Sequence, residues 1–104
     1  MERWNGWGDE ANHYPMPEGG DGFLSERLGP GRVLTDARLE EVLPKVPPSR
    51  LPEHKHIDRS SETRLRHSRG QSLPDWLAMR SGDFQVFPDG VAFPTTQEEI
   101  RELL

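Results

Sequence analysis

Imidazoles and carboxylates crowd one short stretch of the chain. Glu53, His54, His56 and Asp58 lie close together, and their side chains are types that ligate borderline and hard cations. Their spacing is neither the two-histidine i, i+4 pattern of helical zinc sites nor the alternating oxygen ligands of a calcium loop. The stretch is also polar and flanked by prolines, so a solvated loop is the expectation. His67, Ser72 and Asp75 supply the three groups of a hydrolytic triad. No Gly-x-Ser-x-Gly turn accompanies them, and Ser72 is better placed as a helix cap. Arg64 and Arg66 alternate with Leu65 and His67. In an extended segment their guanidiniums share a face, near Arg69, and could grip a phosphate or carboxylate. The competing expectation is pairing within the chain, for example with Glu98, Glu99 and Glu102. No Gly-x-Gly-x-x-Gly or Walker loop is present to cradle phosphate. No catalytic, cofactor-binding or metal position is therefore assigned.

The frame that must hold these groups is small. The chain has 104 residues, enough for one domain. Its apolar fraction of 32%, with 10 glycines and 10 prolines, predicts a thin core and long irregular connections. A net charge of −5 argues against nucleic acid or anionic lipid as a partner, because counterion release needs clustered cations. With no cysteine, disulfides, thiolate zinc sites and thiol nucleophiles are excluded. No apolar run reaches the roughly 18 residues of a spanning helix, and the opening Met1-Glu2-Arg3-Trp4 lacks a signal peptide's apolar stretch. A soluble, cytoplasmic chain is expected.

Residues 1–34 carry Trp4, Trp7, Tyr14 and Phe23 among most of the glycines, with no sustained apolar period, and read as loop held by aromatic anchors. In Trp4-Asn5-Gly6-Trp7-Gly8 the two indoles either pack as anchors or form a stacking platform. Thr35 is expected to cap a helix of about two turns over Asp36–Leu43, ended by Pro44. Pro47, Pro48 and Pro52 then keep a spacer extended. Residues 53–69 form the one basic island. Ser72 and Asp75 in capping-box spacing, with Pro74 in the first turn, predict a short helix closed by Gly82, burying Leu73, Trp76, Leu77 and either Met79 or the stem of Arg80. Val86-Phe87 and Val91-Ala92-Phe93 read as short extended pieces around Pro88-Asp89-Gly90. Thr96-Gln97-Glu98-Glu99 then opens a helix with Ile100, Leu103 and Leu104 on one face. So short a helix is marginal alone, and the apolar face it carries is expected to be covered by polypeptide beyond Leu104.

Pro88-Asp89-x-Val91-x-x-Pro94, followed by Glu98-Glu99-Ile100-x-x-Leu103-Leu104, resembles the opening strand and helix of FAD-linked oxidases of the vanillyl-alcohol oxidase type. The opening Arg3-Trp4-Asn5-Gly6-Trp7-Gly8, with Arg66-His67-x-x-Gly70-x-Ser72 and Arg80-x-Gly82, is similar to alkyldihydroxyacetonephosphate synthases and their bacterial FAD-binding oxidase relatives. The resemblance spans nearly the whole chain. It implies an α+β fold with a loop-rich N-terminal extension over residues 1–82, holding two short helices. Residues 83–104 would be the start, and only the start, of a PCMH-type FAD-binding domain. FAD would be bound by the downstream region, whose glycine-rich loop contacts the pyrophosphate. The implied activity is either ether-lipid-type alkyl transfer through a flavin adduct or 2-hydroxy-acid-type oxidation, with the 104 residues alone inactive. The implied partners are the remainder of the flavoenzyme and a small-molecule or lipid-precursor substrate. A homodimer is open, and the location would be peroxisomal for a eukaryotic synthase. Two other classes compete: a small interaction module docking through Trp4, Trp7 and the proline spacer, and a metal-dependent enzyme using His54, His56 and Asp58.

Overall fold

The computed structural model describes residues 1–104. Its regular structure is helical: α1 (Gly20–Leu28), α2 (Leu39–Val42) running into a 3₁₀ turn (Leu43–Lys45), α3 (Ser61–Arg66), α4 (Leu73–Ser81) and α5 (Gln97–Leu103). Extended pairing is limited to two isolated antiparallel bridges, Glu2 with Asp9 and Asp58 with Val91.

Two helix starts follow the capping chemistry of the sequence. The Ser72 hydroxyl accepts from the Asp75 N–H while the Asp75 carboxylate accepts from the Ser72 N–H, and Gly82, at φ 72°, closes α4. Only a residue without a Cβ enters that left-handed turn freely; a Cβ there would also lie 3.1 Å from that of Ala37. Thr96 likewise caps α5 by accepting from the Glu99 N–H. The Glu99 carboxylate, however, returns to the Thr95 N–H at 2.6 Å, one residue earlier than a capping box requires.

Three elements differ from the sequence reading. The helix expected from Asp36 starts only at Leu39, because the backbone before it is already engaged elsewhere. The Ala37 N–H donates to the Arg80 carbonyl, and the Asn5 amide donates to the Asp36 carboxylate and the Ala37 carbonyl. These tertiary bonds hold residues 36–37 extended, and Thr35 caps nothing. The polar segment after Asp58 turns once as α3, capped by Ser60 and steadied by Glu62 and Arg66 at i, i+4. The expected loop over residues 1–34 contains α1, flanked by Gly19 and Gly29 at positive φ.

The core is built from Trp4, Ala37, Val42, Val46, Leu65 and Met79, with Leu39, Leu43, Trp76, Phe84 and Phe87 packed around it. Trp4 stacks on Phe84 at 6.2 Å, and Phe84 on Phe87 at 5.8 Å. The segment after Gly82 thus closes the core that the first four residues open. α4 presents Met79 and one side of Trp76 to this core. Leu73 and Leu77, expected inside, lie on the outer face, because Met79 and Trp76 set the rotation of the helix.

Candidate functional site

Several of the groups singled out for chemistry, Arg64, Asp58 and His56 among them, lie in one seam, which fastens residues 47–67 to the unit formed by residues 88–103. Arg64 is its centre. Helix α3 turns this guanidinium inward, where it is almost wholly buried. There Nε donates to the Pro88 carbonyl and a terminal nitrogen to the Pro47 carbonyl, each at 2.8 Å. The expected shared face of Arg64 and Arg66 does not form, because the segment is helical rather than extended. Arg64 faces the core, Arg66 pairs with Glu62, and Arg69 pairs with Asp75 at 3.2 Å.

Beside Arg64, Asp58 and Val91 exchange two backbone hydrogen bonds of 2.8 and 2.9 Å. The extended piece Val91–Phe93 therefore pairs with the basic island and not with Val86-Phe87. Gly90 permits this approach, since a Cβ there would meet the Ile57 side chain at 2.5 Å. Ser49 donates to the Asp89 carbonyl, and Arg50 donates to the Asp89 carboxylate; that hydrogen bond to Arg50 holds the carboxyl below its ordinary range. The Asp58 carboxylate accepts from the Ser60 N–H and the Thr63 hydroxyl, and the Ser60 N–H leads in depressing its pKa. Phe93 meets His67 edge-on at 5.4 Å.

The histidine pair serves the same seam. The His56 N–H donates to Nδ1 of His54, and His56 Nε2 and Lys55 Nζ both reach the Glu102 carboxylate of α5 at 3.0 Å. Lys55 is the first cause of the lowered Glu102 pKa, with His56 adding to it. The Thr95 N–H is the first cause for Glu99. The three residue types of a triad are not assembled: the Ser72 hydroxyl donates to Asp75, while His67 Nδ1 lies 2.8 Å from the Thr63 carbonyl of its own helix. Of the two indoles, Trp4 is a core anchor. Trp7 is 62% exposed and meets Trp76 edge-on at 5.9 Å.

The seam gives α5 an unusual orientation. Glu99, Glu102 and half-buried Leu103 are turned toward the chain, while Ile100 is 46% exposed and Leu104 fully so. Phe93 adds further exposed apolar surface from the same unit. Charges hold this unit in place and leave its apolar groups outward. Sequence reasoning missed Arg64 as the organising residue, because only the helical turn of α3 carries it inward. No helix is long and apolar enough to cross a membrane.

Comparison with known proteins adds one relative. Protein Rv2250A of Mycobacterium tuberculosis (strain ATCC 25618 / H37Rv) is 29% identical over an alignment of 106 positions, covering 88% of this chain and 68% of the relative. No family model matches the chain, and no solved structure matches it.

Proposed function

We propose that this chain forms the front of an FAD-linked oxidoreductase resembling alkyldihydroxyacetonephosphate synthase, and that its own role is to start and anchor the flavin-binding domain. The observation that carries the reading is the outward apolar face of the 91–104 unit. Ile100 and Leu104 project from a helix pinned by ion pairs, and Phe93 lies exposed on the preceding extended piece. A strand and helix so held present both an edge and an apolar side to further polypeptide. In this reading Val91–Phe93 contributes the first strand of the sheet that makes the protein α+β.

In this reading the chain itself does not hold FAD: the open cleft bounded by Glu53, His54, Lys55, Ile57 and Arg59 is mostly charged or polar, whereas cofactor clefts are mostly apolar. The cofactor, the substrate and the reacting groups are therefore assigned to the remainder of the enzyme. Arg64, Asp58 and Glu102 would act as positioning residues for the domain start.

The test is to produce the chain alone and together with the polypeptide encoded after the Leu104 codon. Alone, it is expected to be colourless and without turnover; together, to retain FAD. A yellow preparation of the 104 residues, or a following coding sequence without a glycine-rich run after a further strand, would overturn the reading.

A further inference from the structure

Between Glu10 and Asp36 every residue is exposed apart from the half-buried Gly20 and Gly29, so residues 10–36 form an arm on the packed body. Its outgoing end is tied by the Glu2–Asp9 bridge and its returning end by Asn5. Asn5 Nδ2 donates to the Asp36 carboxylate at 3.1 Å and to the Ala37 carbonyl at 3.2 Å. The Ala37 N–H in turn donates to the Arg80 carbonyl at 2.8 Å. Only 3% of Asn5 is exposed.

The residue after Asn5 is Gly6. A glycine in that position has no Cβ to keep its backbone nitrogen from reaching the side-chain carbonyl carbon of the asparagine before it. The nucleophile of this pair is not engaged, since the Gly6 N–H donates no hydrogen bond. What restrains the pair is the Asn5 amide, fixed by its two bonds, and the cover above it. Gly6 is buried beneath two arginines: a terminal nitrogen of Arg80 lies 3.2 Å, and Arg3 Cδ 3.6 Å, from where a Cβ would stand. Both guanidiniums face the Asp36 carboxylate, at 3.7 and 3.9 Å. Asp36 therefore holds the amide and its cover together.

We propose that Asn5-Gly6 is a self-modification site gated by this clasp, inert while Asn5 holds residues 36–37 and reactive once they come away. The Gly6 nitrogen then attacks Asn5 Cγ. The N–Cγ bond forms, the Cγ–Nδ2 bond breaks, and the Gly6 proton leaves with the amide as ammonia. Water opens the resulting cyclic imide at either carbonyl, giving aspartate or isoaspartate at position 5. Neither product rebuilds the clasp. A carboxylate brings no donor to the Ala37 carbonyl and sets a second negative charge against Asp36. Isoaspartate also lengthens the backbone by one atom, inside a turn closed by the Arg3 N–H on the Gly8 carbonyl at 3.0 Å. A transient opening at the root of the arm is thereby made permanent. The inference is independent of the flavoenzyme reading.

The test is to incubate the full chain at mildly alkaline pH, folded and in urea, and to follow position 5 by peptide mapping with mass readout and by enzymatic methylation of isoaspartate. Mapping separates Asn5 from Asn12, the other asparagine. Folded chains react only through their open fraction, so Asn5 is expected to convert at least about tenfold more slowly than in urea. Asp36→Ala removes one acceptor and the anchor of both arginines, and is expected to speed conversion in the folded chain while hydrogen exchange in α4 stays unchanged. Asn5→Asp, which mimics one product, is expected to raise exchange at the Ala37 N–H with α4 again unchanged. Equal rates folded and in urea overturn the proposal, as does an Asn5 that stays intact in urea. So does an Asp36→Ala chain as slow as the wild type, or an Asn5→Asp chain with Ala37 still protected. Should Asn5→Asp fail to fold, the wild-type and Asp36→Ala rates decide.

Discussion

The body and the exposed arm of residues 10–36 are made of similar material, rich in glycine, proline and charge, yet only one of them is packed. In the body, a handful of side chains reach backbone groups far away in sequence. Asn5 bonds Ala37, Arg64 bonds Pro47 and Pro88, and Lys45 bonds Gly82. These links order irregular segments that have no ladder or long helix of their own, and a small apolar cluster fills the space between them. The arm has Phe23, Leu24, Leu28, Val33 and Leu34 but no such cross-link, and its apolar groups stay in solvent. In a chain with a thin core, polar side chains that find distant carbonyls decide which loops become structure.

The largest effect is expected where the body's two devices meet, on α3. Leu65 is fully buried at the centre of the cluster, and Leu65→Ala should destabilise the chain by about 2–5 kcal/mol, a large share of a small domain's stability. Arg64→Met keeps much of the volume but strands the Pro47 and Pro88 carbonyls, at about 1–3 kcal/mol for each acceptor left unsatisfied. Denaturant unfolding followed by tryptophan emission reads both. A loss below about 1 kcal/mol for Leu65→Ala would mean that the body is no better packed than the arm.

Acid should separate the seam from the core. Asp58, Asp89, Glu99 and Glu102 all have folded pKa values below their ordinary range, held there chiefly by hydrogen bonds from Ser60, Arg50, Thr95 and Lys55 respectively. A depressed carboxylate contributes stability that is present above its unfolded pKa and lost as pH falls through the folded one. Stability should therefore be level near neutrality and decline below about pH 4. Glu102→Gln and Asp58→Asn should each flatten part of that decline. An unchanged acid limb in both variants would show that these contacts do not fasten α5 or the Asp58–Val91 bridge.

Legibility in the sequence follows the same division. Local chemistry was readable: Ser72-Leu73-Pro74-Asp75 and Thr96 mark helix starts, and Gly82 marks a stop, because each acts within a turn of itself. Ser72→Ala is accordingly expected to cost about 1 kcal/mol through the lost cap. What was not readable depends on partners distant in sequence. Thr35 has the look of a cap, but Asn5 and Arg80 hold Asp36 and Ala37 extended. Leu73 and Leu77 have helical spacing suited to burial beside Trp76 and Met79, but only the last two reach the core. Arg64 read as a ligand-gripping surface cation, and only the turn of α3 makes it structural. His56 read as a candidate ligand and His67 as a triad member, and their neighbours in space, Glu102 and Phe93, lie more than twenty residues further along the chain.

The smallest expected effect is the sharpest use of the comparison, because it sets one leucine against another. Leu28 is 82% exposed near the tip of the arm, and Leu28→Ala removes the same atoms as Leu65→Ala without opening a cavity. Alanine is also the better helix former. This substitution should shift unfolding by less than about 0.5 kcal/mol. Limited proteolysis gives the matching readout: cleavage should fall first between Glu10 and Asp36, and the nicked body should retain its cooperative unfolding. A Leu28→Ala loss approaching that of Leu65→Ala would place the arm on its own body, and the contrast between the two regions would collapse.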